Sequence, residues 1–79
     1  MKKYRLTDAA VKHGIATQQL DEVMLNNRKY VGYGIDKYDE IGLHYIGRDN
    51  EGNDYDIIIV DKGDYNLITH AMPMESKEI

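Results

Sequence analysis

Leu20, Val23 and Met24 recur at steps of three and one, and from Arg28 onward apolar residues fall at every second position instead. The first spacing places three side chains on one helical face, with Gln18, Asp21 and Glu22 turned outward. The second is the rhythm of half-buried strands. Two short helices are therefore expected near the N-terminus. Thr7 is placed to cap the first, with Asp8 in its first turn, and Gly14 stops it. The second starts at Thr17, and Asn26-Asn27 end it in a left-handed conformation. Ahead of both, Lys3-Tyr4-Arg5-Leu6 reads as a short strand or an extended arm.

Four strands are expected after Arg28. Lys29 to Ile35 alternates Val31, Tyr33 and Ile35 on one face, and the polar turn Asp36-Lys37-Tyr38-Asp39-Glu40 follows. Ile41 to Arg48 alternates Leu43 and Tyr45 against His44 and Ile46, before a tight hairpin at Asp49-Asn50-Glu51-Gly52. Asp54 to Asp61 contains Ile57-Ile58-Ile59-Val60, a β-branched run suited to a strand covered on both faces or flanked on both edges. Asp61-Lys62-Gly63-Asp64 turns the chain into Tyr65 to Met72, and Pro73, lacking an amide donor, is expected to end ladder pairing. Residues 75–79 carry no pattern. Helices first and strands after predict an α+β fold: a single domain over residues 1–79, with two short N-terminal helices packed on a four-stranded antiparallel meander sheet.

Composition narrows the chemistry. With 79 residues the core must be thin. With no cysteine there is no disulfide framework, thiolate metal site or thiol nucleophile. The basic start Met1-Lys2-Lys3-Tyr4-Arg5 is followed by charge rather than by an apolar run, and no stretch reaches the ~20 apolar residues of a membrane span. A cytoplasmic location is expected. The net charge of -4 conceals a gradient: residues 1–37 hold seven Lys/Arg against four Asp/Glu, and residues 38–79 three against ten. A surface facing RNA must therefore draw on the N-terminal half, while the acidic half keeps a small sheet in solution.

Two local patterns carry a resemblance. The first is Lys12-His13-Gly14-Ile15, followed after Ala16 by Thr17 and the helix Gln18 to Leu25. The second is Tyr45-Ile46-Gly47-Arg48-Asp49 through Gly52 into Ile57 to Val60, then Leu67-Ile68-Thr69. In this order the chain resembles the BrnT-type toxins of the RelE-like ribonuclease superfamily, from bacterial type II toxin–antitoxin systems. The matching features cover nearly the whole chain. It departs from the family at Asn53, where an arginine is usual, and at His70-Ala71-Met72, which replaces Ser-Ala-Arg. The usual basic C-terminal stretch is here Glu75-Ser76-Lys77-Glu78-Ile79.

The resemblance implies an endoribonuclease that cleaves RNA by attack of the 2′-hydroxyl on the adjacent phosphate. Such a site must remove a proton, protonate the leaving oxygen and stabilise negative charge. For that chemistry the candidate catalytic residues are His13, Arg48 and His70, and charge and ring type add Lys12, Arg28, Lys29 and Tyr45 as candidates to bind RNA. The implied partners are a cognate antitoxin and RNA or the ribosome, with no membrane, no DNA bound by the chain alone, and no cofactor. Each residue also has a plain structural use. His13 before Gly14 suits a helix C-terminus, Arg48 can pair with Asp49 or Glu51, and His70 fits a hydrogen-bonded sheet position. The three histidines lie 31 and 26 residues apart, which is no metal-ligand spacing. The alternative expectation is a non-catalytic interaction module, or a degenerate toxin of the same fold.

Overall fold

A computed structural model describes residues 3–11, 14–35 and 39–74, the side chain of Ala9 excepted. The order is β1 (Lys3–Leu6), α1 (Asp8–Val11), α2 (Thr17–Leu25), β2 (Lys29–Ile35), β3 (Ile41–Arg48), β4 (Asp54–Asp61) and β5 (Tyr65–Pro73). The strands form one sheet in the order β1-β5-β4-β3-β2.

This corrects the expected architecture in two respects. The sheet is five-stranded and mixed, because β1 lies parallel to β5, with Lys3 beside Tyr65 and Leu6 beside Ile68. A four-stranded meander would leave the outer backbone groups of β5 unpaired, and β1 supplies their partners. The pairing continues past the strand, where Thr7 N–H donates to the Ile68 carbonyl at 3.1 Å. Arg5 adds a cation–π contact, its guanidinium 4.5 Å from the Tyr65 ring centroid. The expected pair of helices is corrected as well: among the described residues α1 is a single turn of four, and α2, with nine, is the one helix longer than a turn.

Thr7 does cap α1, its hydroxyl accepting from Ala10 N–H at 3.3 Å. The end of α2 differs from expectation, because Asn26 is extended (φ -78°, ψ 162°) rather than left-handed. Side chains do the terminating. Arg28 Nη1 donates to the Met24 carbonyl at 2.6 Å, and the Asn26 amide donates to the Arg48 carbonyl at 2.8 Å. Pro73 does not stop pairing either: it lies opposite Tyr55, and Met74 N–H donates to the Asp54 carbonyl at 2.9 Å.

β4 is the middle strand, flanked on both edges as the isoleucine run predicts. Its Ile57 and Ile59 point to the helical side and pack with Leu20, Val23, Met24, Tyr55, Ile68, Ala71 and Ala10 in one core. α2 comes very close to β3 at Gly47, where a Cβ would lie 2.4 Å from Val23 Cγ1. The β3–β4 hairpin turns as expected, with Gly52 at φ +88°. Glu22 holds it to α2 by accepting from Asn50 N–H at 2.9 Å.

Two tyrosines tie this layer together. Tyr4 donates its hydroxyl to Asp21 on α2, and Tyr55 donates to Asp49 at 2.8 Å. Burial first, then these carboxylates, push both phenols up to about 12. The raised value means that the folded state holds its protons more tightly. The associated stability is complete below about pH 10 and is lost as pH rises through about 12. In an alkaline titration followed by tyrosinate absorbance, two of the seven tyrosines should ionise only as the chain unfolds.

Candidate functional site on the open sheet face

Directly paired residues share a face, and this sorts the candidate residues into two groups. Tyr45 lies opposite Ile57 and so faces the helix, whereas His44 lies opposite Ile58, which in turn lies opposite His70. Ile46 and Asp56 form the next row, and Arg48 and Asp54 the row after that. Lys29, paired with Ile46, joins them. The face away from α2 thus gathers His44, His70, Asp56, Arg48, Asp54 and Lys29.

Asp56 stands between the two histidines. It accepts a hydrogen bond from His44 Nε2, and its other oxygen lies 3.8 Å from His70 Nε2. A carboxylate can only accept, so a neutral His44 carries its proton on Nε2 and keeps its lone pair on Nδ1. All three side chains are about one-third exposed or less, at 36%, 27% and 33%. They are therefore fixed by the sheet yet open to a ligand.

Arg48 does not pair with the turn residues Asp49 or Glu51 but with Asp54, directly across the hairpin. Its Nε and Nη2 donate to the two carboxylate oxygens at 2.7 and 3.3 Å. The fork holds the Asp54 carboxyl below the usual carboxylate range and raises the guanidinium further. A depression of about 400 Å³ beside it is lined by Asn27, Lys29, Ile46, Gly47, Arg48 and Asp54. A second groove, of about 500 Å³, runs over Gly32, Gly34 and Gly42 to His44, Ile58 and Thr69. It exists because Gly32 and Gly34 present no side chains to fill it, while at Gly42 a methyl of Ile58 already takes the space a Cβ would need.

Arg28 and Tyr45 belong elsewhere. Arg28 caps α2 with its guanidinium 5.3 Å from the Tyr45 ring centroid, and Tyr45 meets Tyr30 edge-on at 5.7 Å. Both lie on the helical side, away from Arg48, Lys29 and His70. Lys12 and His13 lie outside the described residues. Among the described residues, no group of three His, Asp or Glu side chains is arranged to hold a metal ion.

His44 and Asp56 were not among the predicted site residues. The signal for them is the hairpin itself. A turn at residues 49–52 sets Arg48 against Asp54 and Ile46 against Asp56, which puts His44 diagonally beside Asp56. No family model, no curated protein and no solved structure matches this chain. Among the described residues, no helix is long and apolar enough to cross a membrane.

Proposed function

We propose that this chain is a toxin of the BrnT type that cleaves RNA on its helix-free sheet face. The observation that supports it is the grouping of two histidines around Asp56 with a guanidinium further along the same face. Cleavage by the 2′-hydroxyl needs a base to take its proton, an acid to protonate the departing 5′-oxygen, and a cation for the phosphate, leaving a 2′,3′-cyclic phosphate. His70 and His44 serve as the proton carriers, and Asp56 sets their orientation. Arg48 serves as the phosphate ligand. Its pair with Asp54 is solvent-exposed, and a pair of that kind is weak enough for a phosphate to displace the carboxylate. Lys29 borders the same depression. The antitoxin is then a protein that covers this face.

A second reading is favoured by one observation: Asp54 already pairs with Arg48, and Asp56 is already engaged by the two histidines. On that reading the chain is a non-catalytic interaction module or a degenerate toxin. Induced expression in a bacterial host separates the two. The toxin reading expects growth arrest and RNA breakage by the wild-type chain, with both lost in His70→Ala and Arg48→Ala variants that keep the wild-type circular dichroism. A harmless wild-type chain that leaves purified RNA intact overturns it in favour of the module.

A further inference from the structure

The two edges of the sheet are built differently. β1 is four residues long, carries Lys3 and Arg5, and has Arg5 folded over Tyr65. Short, charged edges of that kind discourage strand addition. β2 is seven residues long, with Lys29 its one charge and no proline. Tyr33 and Ile35 on it are 72% and 68% exposed, Val31 and Tyr30 about half, and Ile41 beside Ile35 is 57% exposed. Large apolar side chains and a free backbone edge coincide there. Among the described residues, the protections on this edge are Lys29 at its start and a bulge at Val31, which leaves Gly32–Ile35 in regular alternation.

We infer that β2 is the seam of a homodimer, pairing antiparallel with β2 of a second copy about a two-fold axis at Tyr33. The register follows from the alternation. A two-fold axis perpendicular to the sheet keeps the α2-bearing faces on the same side, so opposed residues must share a face. Centring on Tyr33 meets that condition across the regular stretch. It sets Tyr33 against Tyr33, Gly32 against Gly34, and Val31 against Ile35, with no charged residue among positions 31–35. On the helical side the exposed Tyr33, Ile35 and Ile41 of both copies become one apolar surface between the two α2 helices.

Area favours a second copy as the occupant. A fully covered aromatic side chain buries about 150–250 Å² and an aliphatic one somewhat less, so the five exposed side chains offer on the order of 600 Å² per copy. Two copies would then bury about 1,200 Å², the lower end of stable interfaces. The apolar seam residues are none of those assigned to RNA cleavage, so either can fail without the other.

The test is sedimentation equilibrium of the full chain at about 10–200 µM, a range suited to an interface of this size. The expected mass rises with concentration from 9.1 kDa toward twice that value. Tyr33→Lys should weaken the dimer at least about tenfold with an unchanged circular dichroism spectrum, since the residue is exposed and outside the core. The chain contains no cysteine, so single cysteines report proximity cleanly. Tyr33→Cys should form a disulfide-linked dimer on mild oxidation far faster than Val11→Cys, an exposed position on α1. A wild-type chain that stays monomeric throughout the range overturns the inference, even if another protein binds the edge. Equal cross-linking at positions 33 and 11 overturns it as well.

Discussion

Gly47→Ala is expected to lower the melting temperature by about 5–15 °C, although it adds one methyl group to a strand. Replacing glycine ordinarily gains about 0.4–1 kcal/mol by restricting the unfolded chain. Here the new Cβ would lie 2.4 Å from Val23 Cγ1, more than an ångström inside ordinary contact. Val23 is fully buried on α2, and a β-branched residue in a helix has essentially one χ1 rotamer to use. It cannot turn aside, so the helix must lift, and overpacking of this kind costs about 1–3 kcal/mol. The clash therefore outweighs the entropic gain. Val23→Ala alone should also destabilise, by leaving a cavity. Combined in one chain, the two changes should cost less than their sum, by on the order of 1 kcal/mol. Urea unfolding of the four proteins measures that coupling, and strict additivity would show that the approach of α2 to β3 is looser than described.

Asp49→Ala is expected to have the second large effect. Asp49 is 3% exposed, and its carboxylate accepts from Glu51 N–H and Asn53 N–H at 2.9 Å, the Asn53 amide at 3.1 Å and the Tyr55 hydroxyl at 2.8 Å. Burial by itself would push this carboxyl up. The hydrogen bonds from Asn53, Tyr55 and Glu51 outweigh it and hold the group below its ordinary value. Alanine would strand the buried Tyr55 hydroxyl and undo the turn that the Glu51 and Asn53 donors hold together, and a drop of about 10 °C in melting temperature at pH 7 is expected. The pH dependence follows from the direction of the shift. A carboxyl depressed in the folded state adds stability that is complete above its unfolded value near 4, and loses it as pH falls toward the folded value. Calorimetry should therefore show the gap between wild type and Asp49→Ala narrowing below about pH 4. A gap that is independent of pH would assign the loss to packing alone.

β2, β3 and β4 were legible because polar or glycine-bearing turns bound them, and because alternation in β2 and β3 and the β-branched run in β4 mark them as strands. The starts and ends of β2, β3 and β4 match the residue pattern to the residue. β1 was not legible as part of the sheet. Four residues carry almost no periodicity, and nothing local announces that Lys3 belongs beside Tyr65. The first helix was overread for a related reason. Thr7 caps α1, but the described helix, Asp8–Val11, is a single turn, too short for a helical stripe to form.

For the candidate site, Arg48 and His70 stand on one face of the sheet, with β4 between their strands and two rows apart. Arg28 and Tyr45 were chosen by charge and ring type, and alternation alone separates them from that face, since residues 45 and 48 differ by an odd number of positions. His44 was passed over because its neighbours are apolar, yet in a sheet the neighbours that matter sit across the strand.

The parallel pairing of β1 with β5 also constrains how the molecule is made. The first strand emerges from the ribosome with no sheet to join, since its template is the last strand to be synthesised. Until then β1 depends on whatever hold α2 offers through Tyr4 and Asp21. Sheet closure is thus a late, long-range event, of the kind that slows folding and leaves nascent edges open to aggregation.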